Sequence, residues 1–189
     1  MMKRKARIRR RTTATEVSID ISLDGAGNGN ISTTVPFMDH MLTLFARHSL
    51  MDMVIKSKGN KNRDDNRLIE DIGTCLGNAV KEAIGNKKGI ARYGTAVVPM
   101  DESLCSVVID LLGKHHLIYN VAFKSKTVGK FDYSLIKGFF ESFSDHSEMT
   151  LHINLLYGQN DHHIAEAIFK AFALALRTAV TIHGLREGI

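Results

Sequence analysis

The sequence predicts an α+β protein made of two similar half-domains, residues 1–88 and 89–189. Each is a small mixed or antiparallel sheet with two helices packed on one face. Three observations predict it. Segments of strict apolar–polar alternation, such as TEVSIDISL at 15–23, are followed by segments with apolar residues at helical spacing. The order of segments (strands, a helix, a strand, a longer helix) occurs twice along the chain. Both longer helices also open alike, with Asp65-Asn66-Arg67-Leu68-Ile69-Glu70 in one half and Asp161-His162-His163-Ile164-Ala165-Glu166 in the other.

In the first half, Ala6 and Ile8 alternate with Arg7 and Arg9, the period of a polar edge strand. Residues 15–23 make a half-buried strand, and Asp24-Gly25-Ala26-Gly27 is a turn signal. Residues 30–35 read as a strand, 37–48 as a helix, 51–57 as a strand and the polar run 59–66 as a loop. A helix over 66–84 ends at Gly85. The second half gives strands at 92–98, 103–111 and 115–123, a helix at 132–146, a strand at 149–156 and a helix at 160–182, with Asp161 placed to cap it. The loop before the longer helix is three residues longer in the first half.

Composition bounds the function. An apolar fraction of 44% excludes a disordered chain. No apolar run reaches the length of a membrane span, and the N-terminus lacks the apolar stretch of a signal peptide. Two cysteines, Cys75 and Cys105, make no disulfide framework, which points to a reducing, cytoplasmic setting. The net charge of +5 is local: residues 1–11 carry seven Lys/Arg and no acid, so the remainder has 18 basic and 20 acidic residues, a net of −2. With an acidic remainder and no aromatics in the arm, a nucleic-acid partner is disfavoured against an edge strand.

The strongest local signal for chemistry is His162-His163-x-x-Glu166. On a helix His162 and Glu166 share a face, while His163 is turned by about 100°. One imidazole and the carboxylate suit Mn, Fe, Zn or Ni while the other imidazole serves a second ion; the bland alternative is a polar helix face with two surface histidines. His40 and His48 lie two turns apart on one side of their helix. His152 points away from the face of Leu151 and Ile153. His115, His116 and His146 read as surface positions. Pro99-Met100-Asp101-Glu102 reads as an acidic turn, and Arg92 and Lys114 are cations near strand ends, suited to a phosphate. There is no P-loop, dinucleotide fingerprint or Ser-His-Asp set.

Taken together, Leu23-Asp24-Gly25-x-Gly27, PFMDHMLTLFARH at 36–48, EDIGTCLGNAVKEAIG at 70–85, GIARYGTAVVPMDESL at 89–104, FKSKTVGKFDYSLIKGFFESF at 123–143 and MTLHINLLYGQNDHHIAEAIFKAFALALRTA at 149–179 resemble the imidazoleglycerol-phosphate dehydratase family. The resemblance implies a duplicated fold of the ribosomal-protein-S5-domain-2-like kind. It implies a homo-oligomer of 24 subunits with active sites between them, and two Mn²⁺ per site that bind the substrate's imidazole as an imidazolate. Water then leaves from a phosphate-bearing side chain, a hydro-lyase step of histidine biosynthesis. Carried over by position, metal ligands fall on His40, Glu70, His152, His162, His163 and Glu166. Glu166 takes a catalytic carboxylate role, with Glu16 as the nearby substitute for the family's other catalytic glutamate, and His40, His48, Arg92 and Lys114 take the substrate contacts.

The departures from the family pattern gather at the site. Where the family reads DHHxxED, this chain has Asp65-Asn66-Arg67-Leu68-Ile69-Glu70-Asp71. Asparagine is a weak ligand, and a guanidinium cannot ligate and repels cations. The early catalytic glutamate falls on Ala14; Glu16, two residues on, faces the same side but about 7 Å away. Ser-Gly-Arg-Pro becomes Leu112-Gly113-Lys114-His115, which keeps a charge and loses the bidentate fork. A Thr-Gly becomes Thr33-Thr34, and the family's terminal Ser-Thr-Lys-Gly is replaced by Arg186-Glu187-Gly188-Ile189. Two readings follow: a dehydratase with a rebuilt site, or a folded, metal-poor relative with a structural or regulatory role.

Overall fold

Alternation and helical spacing resolve into two four-stranded sheets with four helices between them, in a computed structural model that describes residues 4–59 and 65–183. Lys3, residues 60–64 and the terminal Arg186-Glu187-Gly188-Ile189 lie outside the described residues. The first half runs β1 (Lys5–Arg11), β2 (Thr15–Ser22), β3 (Gly29–Ser32), α1 (Pro36–Ser49), β4 (Asp52–Gly59) and α2 (Asp65–Ile84). The second runs β5 (Tyr93–Met100), β6 (Ser103–Asp110), β7 (His116–Asn120), a small hairpin of β8 (Thr127–Val128) and β9 (Phe131–Asp132), then α3 (Ser134–Ser147), β10 (Thr150–Tyr157) and α4 (Asp161–Ala179).

The sheets have the same wiring. Their orders are β1-β2-β4-β3 and β5-β6-β10-β7. In each, the third strand of the half pairs parallel with the fourth and the other pairings are antiparallel. The short helices match too: α1 and α3 each end on a buried serine, Ser49 and Ser147, followed by a left-handed residue, Leu50 (φ 57°) and Glu148 (φ 53°).

Each long helix covers its own sheet and meets the short helix of the other half, α2 against α3 and α4 against α1. Period-2 burial drives the sheet side: Val17, Ile19 and Ile21 of β2 and Cys105, Val107 and Ile109 of β6 are buried, with exposed or half-buried residues between them. Phenylalanines fill the space between helices. Phe172 of α4 stacks on Phe45 of α1 at 5.1 Å and meets Phe143 of α3 edge-on at 5.1 Å. Between α2 and α3 small residues do the opposite job. A Cβ on Gly73 would fall 2.6 Å from the carbonyl oxygen of Phe139, and one on Gly77 2.5 Å from that of Phe143.

The basic N-terminus is the expected edge strand, paired with β2 along its length. Its charge meets the chain's own acids: Arg4 Nε donates to Asp24 (2.9 Å), Arg9 to Asp20 (3.0 Å), Arg10 Nε to Asp71 (2.9 Å), and Arg7 also pairs with Asp20. Three local expectations are corrected. The strand expected at 115–123 stops at Asn120, and α4 stops at Ala179 rather than 182. The cap of α4 is Asn160, whose side-chain oxygen accepts from the backbone N–H of His162 (2.9 Å) and His163 (3.4 Å). Asp161 turns inward instead and accepts from the backbone N–H of Lys124 (2.8 Å) and Ser125 (2.7 Å), tying the β7–β8 segment to α4. No helix among the described residues is long and apolar enough to cross a membrane.

Candidate metal centre

Because α1 crosses α4, the second turn of one meets the first turn of the other. His40 of α1 donates from Nε2 to Oε1 of Glu166 (2.9 Å), and His162 Nε2 reaches the same oxygen at 3.1 Å. The two imidazoles stack with centroids 5.4 Å apart, and Phe37 packs edge-on against His162 at 5.6 Å. One ligand atom each from His40, His162 and Glu166 lies within 4.8 Å of the others. Two imidazole nitrogens and a carboxylate oxygen on rigid helices match a first-row divalent metal. The imidazoles stay open to solvent, at 44% and 41% side-chain exposure.

Lys170, one turn after Glu166, donates to the other carboxylate oxygen, Oε2 (2.7 Å), and lies 3.0 Å from Met100 Sδ. Burial raises the pKa of Glu166, but hydrogen bonds from Lys170 and His40 outweigh it and hold the carboxyl at about 2. The group is therefore ionised, as a metal ligand must be. His48 lies farther along α1; burial, then Lys170 and Arg47, push its pKa down.

His163 is turned to the β5–β6 turn. Its Nδ1 donates to Glu102 Oε2 at 2.6 Å, and its Nε2 lies 3.6 Å from Asp101 Oδ2. Glu102 also accepts from the backbone N–H of Asn160 (2.7 Å) and Gln159 (3.2 Å) and from the Ser103 hydroxyl (3.0 Å). The bond to Glu102 raises the pKa of His163, and the bond from His163 drives Glu102 well below the usual carboxylate range.

The other candidates lie apart from this cluster. Glu70 is half-buried on α2, with its carboxylate beside Gly138 of α3. His152 is half-buried on the open face of the second sheet, level with Val108 and Ile118. Arg92 grips Asp110 with two bonds (2.8 and 3.1 Å). Lys114 is exposed before β7. Glu16, on the open face of the first sheet, pairs with Lys58 at 3.0 Å. Asn66 and Arg67 are both exposed on the first turn of α2. A hollow lined by Lys5, Arg7, Asp20, Asn30 and Asp52 is also on the first sheet, and another is lined by Phe131 and by Phe37, the ring that packs edge-on against His162.

Sequence reasoning did not single out Lys170 or the capping role of Glu102. Lys170 carried a readable signal, the i,i+4 spacing from Glu166. Glu102 carried none, because its partners come from the turn before α4.

Residues 33–176 match the sequence profile of imidazoleglycerol-phosphate dehydratase. The chain belongs to the imidazoleglycerol-phosphate dehydratase family. It is 52% identical to the dehydratase of Syntrophus aciditrophicus strain SB over 100% of this chain and 96% of that protein. It is 47% identical to that of Syntrophomonas wolfei over 96% of this chain and 92% of the other. Among solved structures, the Staphylococcus aureus dehydratase superposes with a TM-score of 0.85 at 39% identity, covering 94% of this chain and 99% of that one. The Pyrococcus furiosus dehydratase, solved with a ligand, gives 0.82 at 32% identity, covering 96% and 100%. The family is one of hydro-lyases of histidine biosynthesis, and its solved members share this paired-sheet fold.

Proposed function

We propose that this chain is an imidazoleglycerol-phosphate dehydratase that removes water from imidazole glycerol phosphate to give imidazole acetol phosphate, with Mn²⁺ as its metal. The observation that carries this reading is the convergence of His40, His162 and ionised Glu166 on one point of a family-wide fold. These donors suit Mn²⁺. A bound divalent cation supplies positive charge that draws electron density from the substrate's imidazole. The chain's residues do the rest. The stacked imidazoles and Phe37 fix the donor directions, and Lys170 keeps Glu166 ionised and oriented. A carboxylate takes the proton from the side-chain carbon one removed from the ring and an acid protonates the hydroxyl leaving the carbon next to the ring, so water departs and the resulting enol becomes the ketone.

We assign the acid–base role to Glu166 and Glu16 and substrate contacts to His40, His48, Arg92 and Lys114; the family resemblance adds ligand roles for Glu70, His152 and His163, which lie apart from the His40–His162–Glu166 cluster. Glu16 lies on an open sheet face, so it serves a site only across a subunit boundary. That supports a homo-oligomer, as does the open face of the second sheet, where Tyr93, Val97 and Val108 are exposed. Two buried thiols, Cys75 and Cys105, pushed up by burial to about 11 and about 12, support a cytoplasmic setting.

The test is product formation by purified protein with added Mn²⁺. Activity that depends on Mn²⁺ and is lost in His162→Ala is the expected result. The second reading, an inactive relative, is favoured by Asn66 and Arg67. Background turnover in the native chain, restored by Asn66→His with Arg67→His, establishes it instead.

A further inference from the structure

The position of the metal-centre residues occurs twice in this molecule. Matching the buried serines and left-handed ends of α1 and α3 puts Gly138 in the place of His40. Matching the first residues of α2 and α4 puts Asn66 in the place of His162 and Glu70 in that of Glu166. The structure bears this out in space: a Cβ on Gly138 would lie 3.9 Å from Glu70 Oε1 and 4.0 Å from Asn66 Oδ1. The fold thus builds two equivalent helix crossings, α1 on α4 and α3 on α2, and furnishes one of them with imidazoles.

We propose that the chain binds one divalent metal per subunit, at His40, His162 and Glu166, and that the equivalent position at Gly138, Asn66 and Glu70 is a metal-free helix joint. The inference rests on the metal-dependent reading above and changes its stoichiometry from the two ions that the family resemblance implies. At the second crossing glycine offers no donor and asparagine a weak one, so Glu70 alone remains. Arg67, three residues before Glu70 on the helix, sets a fixed positive charge on its neighbouring surface. The other donors do not compensate. His163 is held between Glu102 and Asp101, and His152 sits on a sheet face level with Val108 and Ile118. Among the described residues, His40, His162 and Glu166 form the one group of three donors. The second crossing instead packs closely: Gly73 and Gly77 of α2 meet the backbone of α3 where a side chain would collide.

The experiment is a metal count. The full-length assembled protein is stripped with chelator, reloaded with Mn²⁺, desalted, and analysed for manganese and protein, with product formation measured on the same samples. One Mn²⁺ per chain is expected, lost in His162→Ala and retained in Glu70→Gln, with unchanged melting curves reporting intact folding. Two ions per chain, none, or an ion that survives His162→Ala overturns the proposal. The two readings fail separately: product formation with two ions per chain removes this inference and leaves the dehydratase, whereas one ion per chain without product does the reverse.

Discussion

Glu166 shows how the site is built at the scale of a residue. Alone, a carboxyl with 11% side-chain exposure would resist ionisation. Lys170 and His40 reverse that, so the charge a metal needs is stabilised before any metal arrives. The sign of the pH effect follows. The folded value of about 2 lies below the ordinary glutamate value of 4.5, so the stabilisation is fully present above about pH 4.5 and is lost as pH falls toward 2. It amounts to roughly 3 kcal/mol at most. Glu166→Gln is therefore expected to flatten the acid limb of metal-free stability between pH 4.5 and 2, read by urea melts across that range, and to weaken Mn²⁺ binding at pH 7. An unchanged acid limb would show that the Lys170 and His40 contacts do not act on this carboxyl. At this scale the sequence was readable where chemistry is local: His162 and Glu166 sit one turn apart on a single helix. It was not readable where partners come from distant segments, as Glu102 caps the turn before α4 from 57 and 58 residues away.

Elements were legible wherever burial has a period. The alternation of β2 and the helical spacing of α1 each name a face, and that face is what the core receives. The β8–β9 hairpin has two-residue strands, too short for any period, and the early end of β7 follows from the segment leaving the sheet to meet Asp161. Sequence places the cap of α4 one residue late because Asn160 and Asp161 are both good caps; the backbone N–H groups of Lys124 and Ser125 claim the second. The glycines of α2 carry the least obvious information, since a helix interior disfavours glycine by about 1 kcal/mol relative to alanine. They stand there because α3 comes too close for a methyl group. Gly77→Ala is expected to separate α2 from α3 and lower stability by about 1–3 kcal/mol, despite alanine's better helix propensity, measured by chemical denaturation. A gain in stability would mean that the helix crossing yields without strain.

For the whole molecule, duplication explains both what was readable and what is distinctive. A repeated order of elements announced two matching sheets, but it could not announce that each long helix would meet the short helix of the opposite half. That exchange is what brings His40 of the first half to His162 and Glu166 of the second, so the centre belongs to neither half alone. It also sets a strong test of the symmetry. If the two crossings are equivalent, imidazoles placed at the second should converge as those at the first do. The site has room, because the nearest atoms to a Cβ on Gly138 stand at ordinary contact distances of 3.8–4.0 Å. Gly138→His with Asn66→His, retaining Glu70, is expected to add one Mn²⁺ per chain to the native count, and Glu70→Gln in that background is expected to remove it again. Metal analysis reads both steps, and melting curves confirm the fold. If the added histidines bring no ion although the variant folds, the two crossings share wiring but not geometry, and the asymmetry of the centre would then lie in helix placement as well as in the side chains presented.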